Sequence, residues 1–271
     1  SWKHDLLKQL FMSSRKKLNL DERQSNDSII EERKLSSIES IPEAKNEFLI
    51  KVWNQLSNTY FSKYQIQQLS DQAKTIASSE GKTSILIKSR KNLIEIFIFT
   101  PNQPGLFFKT VQSFEHLSIE TIDSDIHTTD DGLYALNTFI CRHKILGGNL
   151  IQRDIQKIQK KIIAAIDSEN PKSVAKAKPK TKKVFEYQTK VHITDSSIKN
   201  ISLITLETLD KPNLLSEVAK IFLDHGVSID SARITTLGEK VEDNFTVSDE
   251  KTKSAISKNK AQQIQKKLKS L

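Results

Sequence analysis

Residues 100–128 recur without gaps as residues 208–236, a constant offset of 108 positions. The identical pairs are Thr100/Thr208, Pro104/Pro212, Leu106/Leu214, Phe114/Phe222, Ile126/Ile234 and Thr128/Thr236. These identities are few, but the pattern around them repeats too, and a duplicated supersecondary unit restricts the fold to architectures built from two copies. Each copy begins with a short β run (residues 85–88; 191–194) and a polar turn, then a longer run (residues 93–100; 201–208) able to form a hairpin with it. The turn at residues 102–105 or 210–213 follows. Next comes a helix with one apolar stripe: Leu106, Phe107, Val111, Phe114 and Leu117, or Leu214, Leu215, Val218 and Phe222. A strand through Ile126 or Ile234 leads by a turn (Asp131-Gly132; Gly238-Glu239) into a strand ending near Phe139 or Val247. A second helix closes each copy, striped by Ile151, Ile155, Ile158, Ile162 and Ile166, or by Ile256, Ile264, Leu268 and Leu271.

That is the content of a βαββαβ unit with its last strand moved. Leu271 falls inside the second helix of the second copy, so the preceding short strand is expected to take the vacant edge. The expected fold is therefore α+β: two ferredoxin-like units in ββαββα order, each an antiparallel sheet with two helices. The expected domains are residues 81–168 and 189–271, joined by a basic linker at 169–188. Before them, residues 1–80 carry helical spacing: Leu6, Leu7, Leu10 and Phe11, then Phe48, Leu49, Val52, Trp53 and Leu56, then Ile66, Leu69, Ala73 and Ile76. The polar residues 19–40 suit either a loop or an exposed helix, and Pro42 marks the start of the helix carrying Trp53.

With 37% apolar and 28% charged residues, the composition is that of a globular protein on the polar side. Cys141 is the only cysteine, which excludes an internal disulfide and fits a reducing, cytoplasmic compartment. No apolar run approaches the ~18–20 residues of a membrane span, and Lys3, His4 and Asp5 interrupt any signal peptide. Ser1 opens the chain and Met12 is its only methionine, which suggests a piece of something longer. The net charge of +9 is concentrated in residues 153–190 and in the lysine-rich residues 251–271. Nucleic-acid binders usually interleave such charge with aromatics on a folded face. Here it falls on a linker and a tail, which argues for solvation and against a nucleic-acid partner.

The repeated turn has a chemistry of its own. A strand ending in a tight turn and feeding a helix leaves backbone N–H groups unpaired. With the positive end of the helix dipole they suit a carboxylate. Gly105 permits close approach of a ligand to the backbone, and Asn102 or Asp210 can accept from an ammonium group. The candidate amino-acid-binding residues are Asn102, Gln103, Pro104, Gly105 and Leu106, with Asp210, Lys211, Pro212, Asn213 and Leu214. The alternative is an ordinary strand-to-helix connection with proline near its first turn.

The stretch "IFIFTPNQPGLFFKTVQSFEHLSIETIDSDIHTTDDGLYALNTFI" resembles the first ACT domain of bacterial PII uridylyltransferase/uridylyl-removing enzymes. "LITLETLDKPNLLSEVAKIFLDHGVSIDSARITTLGEKVEDNFTVSD" resembles the second, and "VWNQLSNTYFSKY" is similar to the helical connector before them. The specific part is "IHTTDDG…ALNTF" with "ITTLGEKVEDNF", since ACT domains in general share only the helix-opening motif. The resemblance implies a glutamine-sensing regulatory segment, with glutamine or another free amino acid as ligand. It also implies the PII signal protein as partner through a parent enzyme. The family's nucleotidyltransferase and phosphohydrolase domains lie upstream of this segment. No catalytic or metal-binding residue is assigned here, no cofactor is expected in this segment, and Mg belongs only to those upstream domains. Whether this chain acts as an enzyme by itself stays open. His4-Asp5 lacks the further ligands a metal site needs, and His116, His127, His143, His192 and His225 have no ligand spacing.

Two positions depart from the family motif, which has Asp before and Gly after the proline. The first copy keeps Pro104-Gly105 but carries Asn102; the second keeps Asp210 but carries Asn213. Asn102 weakens the grip on an ammonium group, because a charged hydrogen bond is roughly twice as strong as a neutral one. Asn213 tolerates the left-handed backbone that the turn needs. A shared site, with Asp210 on one side and Gly105 on the other, would restore binding if the copies face each other. The alternative function is a stand-alone ACT amino-acid-binding or interaction module without catalytic activity.

Overall fold

A computed structural model describes residues 21–39, 41–168, 187–196, 200–237 and 239–271. The chain divides into two compact units, Ser1–Ser78 and Ser79–Leu271. The expected helix through Leu6 and Phe11 and nearly all of the basic linker lie outside the described residues.

The first unit is helical among its described residues: α1 (Asp21–Ile38), α2 (Glu43–Trp53), α3 (Asn58–Lys63) and α4 (Ile66–Ser79). Of the two options the sequence leaves for the polar stretch, helix is the outcome. Pro42 caps α2 in an extended conformation (φ −58°, ψ 139°), so its ring opens the helix instead of breaking it. Short α3 supplies an aromatic anchor. Phe61 meets Trp53 edge-on at 5.2 Å and Tyr60 at 5.3 Å, and the Tyr60 hydroxyl donates to Gln72 Oε1 at 2.7 Å.

The second unit contains two ββαββα repeats. The first comprises β1 (Ser84–Arg90), β2 (Leu93–Pro101), α5 (Leu106–His116), β3 (Ile119–Thr128), β4 (Tyr134–His143) and α6 (Gln152–Ile166). The second comprises β5 (Lys190–Ser196), β6 (Ile201–Leu209), α7 (Leu214–Asp224), β7 (Val227–Leu237), β8 (Lys240–Asp249) and α8 (Lys258–Lys269). All eight strands join one antiparallel sheet in the order β1-β2-β4-β3-β7-β8-β6-β5. The short strands take the outer edges, as expected: β1 pairs with β2, and β5 with β6.

The repeats meet at one register pair, Ser124 with Ala232, where Ser124 Oγ also donates to Ala232 O at 2.9 Å. These are the same position in the two copies, so a pseudo-two-fold axis passes between them. The bulges obey it as well, falling between Thr121 and Asp123 in β3 and between Ile229 and Ser231 in β7. Helix α5 packs against both α6 and α7, and α7 against α8. A single apolar core runs through both repeats, from Ile94, Phe114 and Phe139 to Phe222, Phe245 and Leu268. One expected stripe residue lies outside it: Ile151 is 64% exposed because it caps α6 from outside the helix. The lysine-rich tail is α8, which buries Ile264 and Leu268 and turns Lys266, Lys267 and Lys269 outward near its negative end. Among the described residues no helix is long and apolar enough to cross a membrane.

The turn before each repeat's first helix needs a left-handed residue. Gly105 adopts φ +71° and Asn213 φ +65°, each as the N-cap. Gly105→Ala is expected to cost about 1–2 kcal/mol for the left-handed backbone, more where Leu223 cannot yield, since an added Cβ stands 3.0 Å from Leu223 Cδ2. Asn213→Gly is expected to change stability by only a few tenths of a kcal/mol, because Asn already tolerates this region. Urea denaturation of the two variants measures the contrast.

Candidate functional site

Both turns are anchored identically by backbone. The Asn102 amide donates to Leu133 O and the Asp210 amide to Glu239 O, each at 2.8 Å, tying the turn to the hairpin between the repeat's last two strands. Asn102 Nδ2 adds a bond to Gly132 O at 3.1 Å. The next residue ties the turn to the end of the repeat's second helix. Lys109 Nζ donates to Gln103 Oε1 at 2.7 Å and to the carbonyls of Ile166 and Ser168, while Gln103 Nε2 donates to Ile166 O. In the second copy the lysine stands on the turn and a carboxylate on the helix: Lys211 Nζ donates to Glu217 Oε2 at 2.6 Å and to Leu271 O at 3.1 Å. Gln103 and Lys211 are thus engaged with their own repeat's helix end.

Each turn opens onto a cavity completed by the other repeat. The first, about 510 Å³, takes Asn102–Leu106 and the β3–β4 turn from one copy, with Leu223, Ser228, Asp230, Ser248 and Lys253 from the other. The second, about 400 Å³, takes Asp210–Leu215 and Asp243 from the second copy, with Glu115, Glu120, Thr121 and Lys144 from the first. The condition set for a shared site is not met in this arrangement: Asp210 and Gly105 line different cavities. Antiparallel pairing at Ser124 and Ala232 sets the repeats head to tail, so each turn meets the end of the other copy's first helix.

The two ends are not alike. Facing the first turn is Leu223. At the corresponding place before the second turn stands Glu115, whose Oε2 accepts from Ser216 Oγ at 2.6 Å and whose Oε1 accepts from the Ser216 amide at 3.3 Å. The chain thus places its own carboxylate at the N-terminus of α7, where unpaired amides and the dipole favour an anion. Burial pushes the Glu115 carboxyl up, against the pull of both Ser216 bonds. Phe108 is the counterpart of Ser216 in α5, and its amide has no acceptor among the described residues.

The floors differ as well. Asn137 on β4 pairs in register with Ile98 and Ile126; Asp243 on β8 pairs equivalently with Leu206 and Ile234. Both are 1% exposed. Asp243 Oδ1 accepts from the Thr235 amide at 3.3 Å; burial and then Asp210 raise its carboxyl to about 7. Asn137 Oδ1 has no hydrogen-bond partner among the described residues. Asn137, Asp243 and Glu115 are absent from the sequence-derived candidates. The first two carried a signal: in "ALNTF" and "VEDNF" they stand two residues before a core phenylalanine and so share its face. Glu115 carried none, since its partner lies in the other copy.

Elsewhere, Cys141 is buried and its thiol is pushed up by burial. His127 Nε2 lies 2.8 Å from Asp125 Oδ2, and His143 Nδ1 accepts from the Ile145 and Leu146 amides. Among the described residues no group of three His, Cys, Asp or Glu could hold a metal ion.

No protein-family model matches the chain. Relatives named bifunctional uridylyltransferase/uridylyl-removing enzyme do. The one from Psychrobacter sp. strain PRwf-1 is 26% identical over 272 residues, covering 92% of this chain and 30% of that protein. Those from Vibrio campbellii and Azotobacter vinelandii are 27% and 26% identical, each over 92% of this chain and 29% of theirs. The chain spans about 30% of the length of the curated relatives it matches. Over nearly its whole length it is similar to one part of these enzymes. A solved structure of an unknown protein from Galdieria sulphuraria matches over 58% of this chain and 80% of its own, at 12% identity and a TM-score of 0.23.

Proposed function

We propose that this chain is the tandem-ACT, glutamine-sensing part of a PII uridylyltransferase/uridylyl-removing enzyme, controlling uridylylation and deuridylylation of the PII protein. The observation that carries this reading is the pair of cavities at the repeat junctions, each built from a helix-opening turn of one repeat and the helix end of the other. A free amino acid in such a cavity touches both repeats, so its binding favours one packing of the pair over another. A ligand shifts an equilibrium only by its differential affinity for the two states. That shift would be transmitted to the nucleotidyltransferase and phosphohydrolase parts of a parent enzyme, of the kind that the relatives' names describe. Calorimetry on the chain with L-glutamine is expected to show saturable binding at millimolar ligand or below. Bound ligand at 100 times Kd raises stability by about 2.7 kcal/mol, which a thermal melt reads independently. The absence of both a heat of binding and a melting shift would exclude the reading for this chain.

A second reading, an ACT interaction module without sensing, is favoured by one observation: Glu115 already occupies the anion position at α7. It predicts no response to any free amino acid in either measurement.

A further inference from the structure

Among the described residues nothing pairs with the side-chain amide oxygen of Asn137. This residue lies two residues before Phe139 and shares that residue's helix-facing side, where the Phe139 ring packs 6.2 Å from Phe107 and 5.1 Å from Phe114. It lines the first cavity at 1% exposure, with Oδ1 sealed and without a partner among the described residues. Buried polar groups are nearly always paired, so an orphan at the floor of a cavity asks what pairs it. The cavity, about 510 Å³, is of small-molecule size and far larger than one water requires. Its roof adds a second open position, the Phe108 amide at the N-terminus of α5. In the second cavity the counterparts are engaged: Asp243 accepts from Thr235, and Glu115 fills the end of α7.

We propose that the cavity at the first turn is the ligand site of the pair, and that Asn137 reads a primary carboxamide on the ligand. Rotation of the side-chain amide turns Oδ1 from its sealed position toward the ligand, where it accepts one N–H of that carboxamide while Nδ2 donates to its carbonyl. The assignment rests on the amino-acid-sensing reading above and names the group it recognises. A carboxylate in the same place offers acceptors only and sets an anion against Oδ1. A hydrocarbon leaves both halves of the Asn137 amide unpaired. Each loses about 10–100-fold in affinity relative to the carboxamide, the usual consequence of burying an unmatched polar group.

The test is calorimetry on the full chain with L-glutamine, L-glutamate and L-norvaline, repeated on Asn137→Leu with thermal melts of both proteins. One glutamine per chain is expected, bound about 10–100-fold more tightly than glutamate or norvaline. Asn137→Leu should lose that preference and weaken glutamine by a similar factor. It should melt no lower than the parent, because leucine removes an unpaired buried amide at similar volume. Undiminished glutamine binding to this variant, equal binding of glutamate, or two glutamines per chain overturns the assignment and leaves amino-acid sensing standing. Absence of binding by the parent overturns both. Should the leucine variant not fold, Asn137→Asp serves. Its protonated carboxyl still donates and accepts, so glutamine affinity should fall as pH rises from 5 to 8 while the parent's holds. A pH-independent variant overturns the assignment.

Discussion

Asparagine in place of Asp243 will leave stability unchanged near pH 4 and raise it by about 4 kcal/mol at pH 8, at 1.36 kcal/mol per unit of pKa difference. The folded carboxyl titrates at about 7, against 3.8 for an ordinary aspartate. A group raised on folding stabilises fully below its unfolded value, and that contribution is lost as pH rises through the folded one. Between pH 4 and 7 the parent therefore weakens more steeply than the variant. The main cause is burial at the floor of the second cavity; the nearby Asp210 carboxylate adds to it, and the Thr235 amide opposes it. Glu115, Glu120, Lys144 and Lys211 line the same cavity. Burial also raises Glu115 and Asp230, which weaken the parent in the same direction. Subtracting the parent's curve from the variant's isolates Asp243. Urea denaturation at pH 4, 6 and 8 measures it, and parallel profiles would refute the assignment.

Much of this arrangement is legible in the residues. The duplication fixes two copies, the count of strands places β1 and β5 at the edges, and asparagine at 213 announces a left-handed turn. Short α3 escapes notice because six residues give too little periodicity to read. The amide oxygen of Asn137, unpaired among the described residues, escapes because period-two spacing assigns its face but not its partners. The clasp between Glu115 and Ser216 escapes for a deeper reason. Each residue reads as an ordinary member of an amphipathic helix, and only the head-to-tail pairing at Ser124 and Ala232 brings them together. The conditional union of Asp210 with Gly105 does not arise for the same reason: the axis that joins the repeats carries their turns to opposite ends, each lining its own cavity.

Phe139→Ala and Phe245→Ala will each cost about 3–5 kcal/mol, the range for removing a buried aromatic from a packed core. Phe139 is fully buried and meets two rings, Phe107 at 6.2 Å and Phe114 at 5.1 Å, whereas among the described residues Phe245 meets one, Phe222, at 5.2 Å. The first variant is therefore expected at the upper end of the range and the second at the lower. The informative part is where the loss is felt. One apolar core spans both repeats, α5 packs on α7, and β3 joins β7, so neither repeat has a boundary at which to unfold alone. Hydrogen exchange should show β8 amides losing as much protection as β4 amides in Phe139→Ala, and the reverse in Phe245→Ala. Protection lost only in the mutated repeat would mean that the halves open separately. A ligand held between them would then have to join two independent bodies. If the loss is shared, the cavities already sit inside one cooperative structure, and a bound amino acid biases both repeats at once.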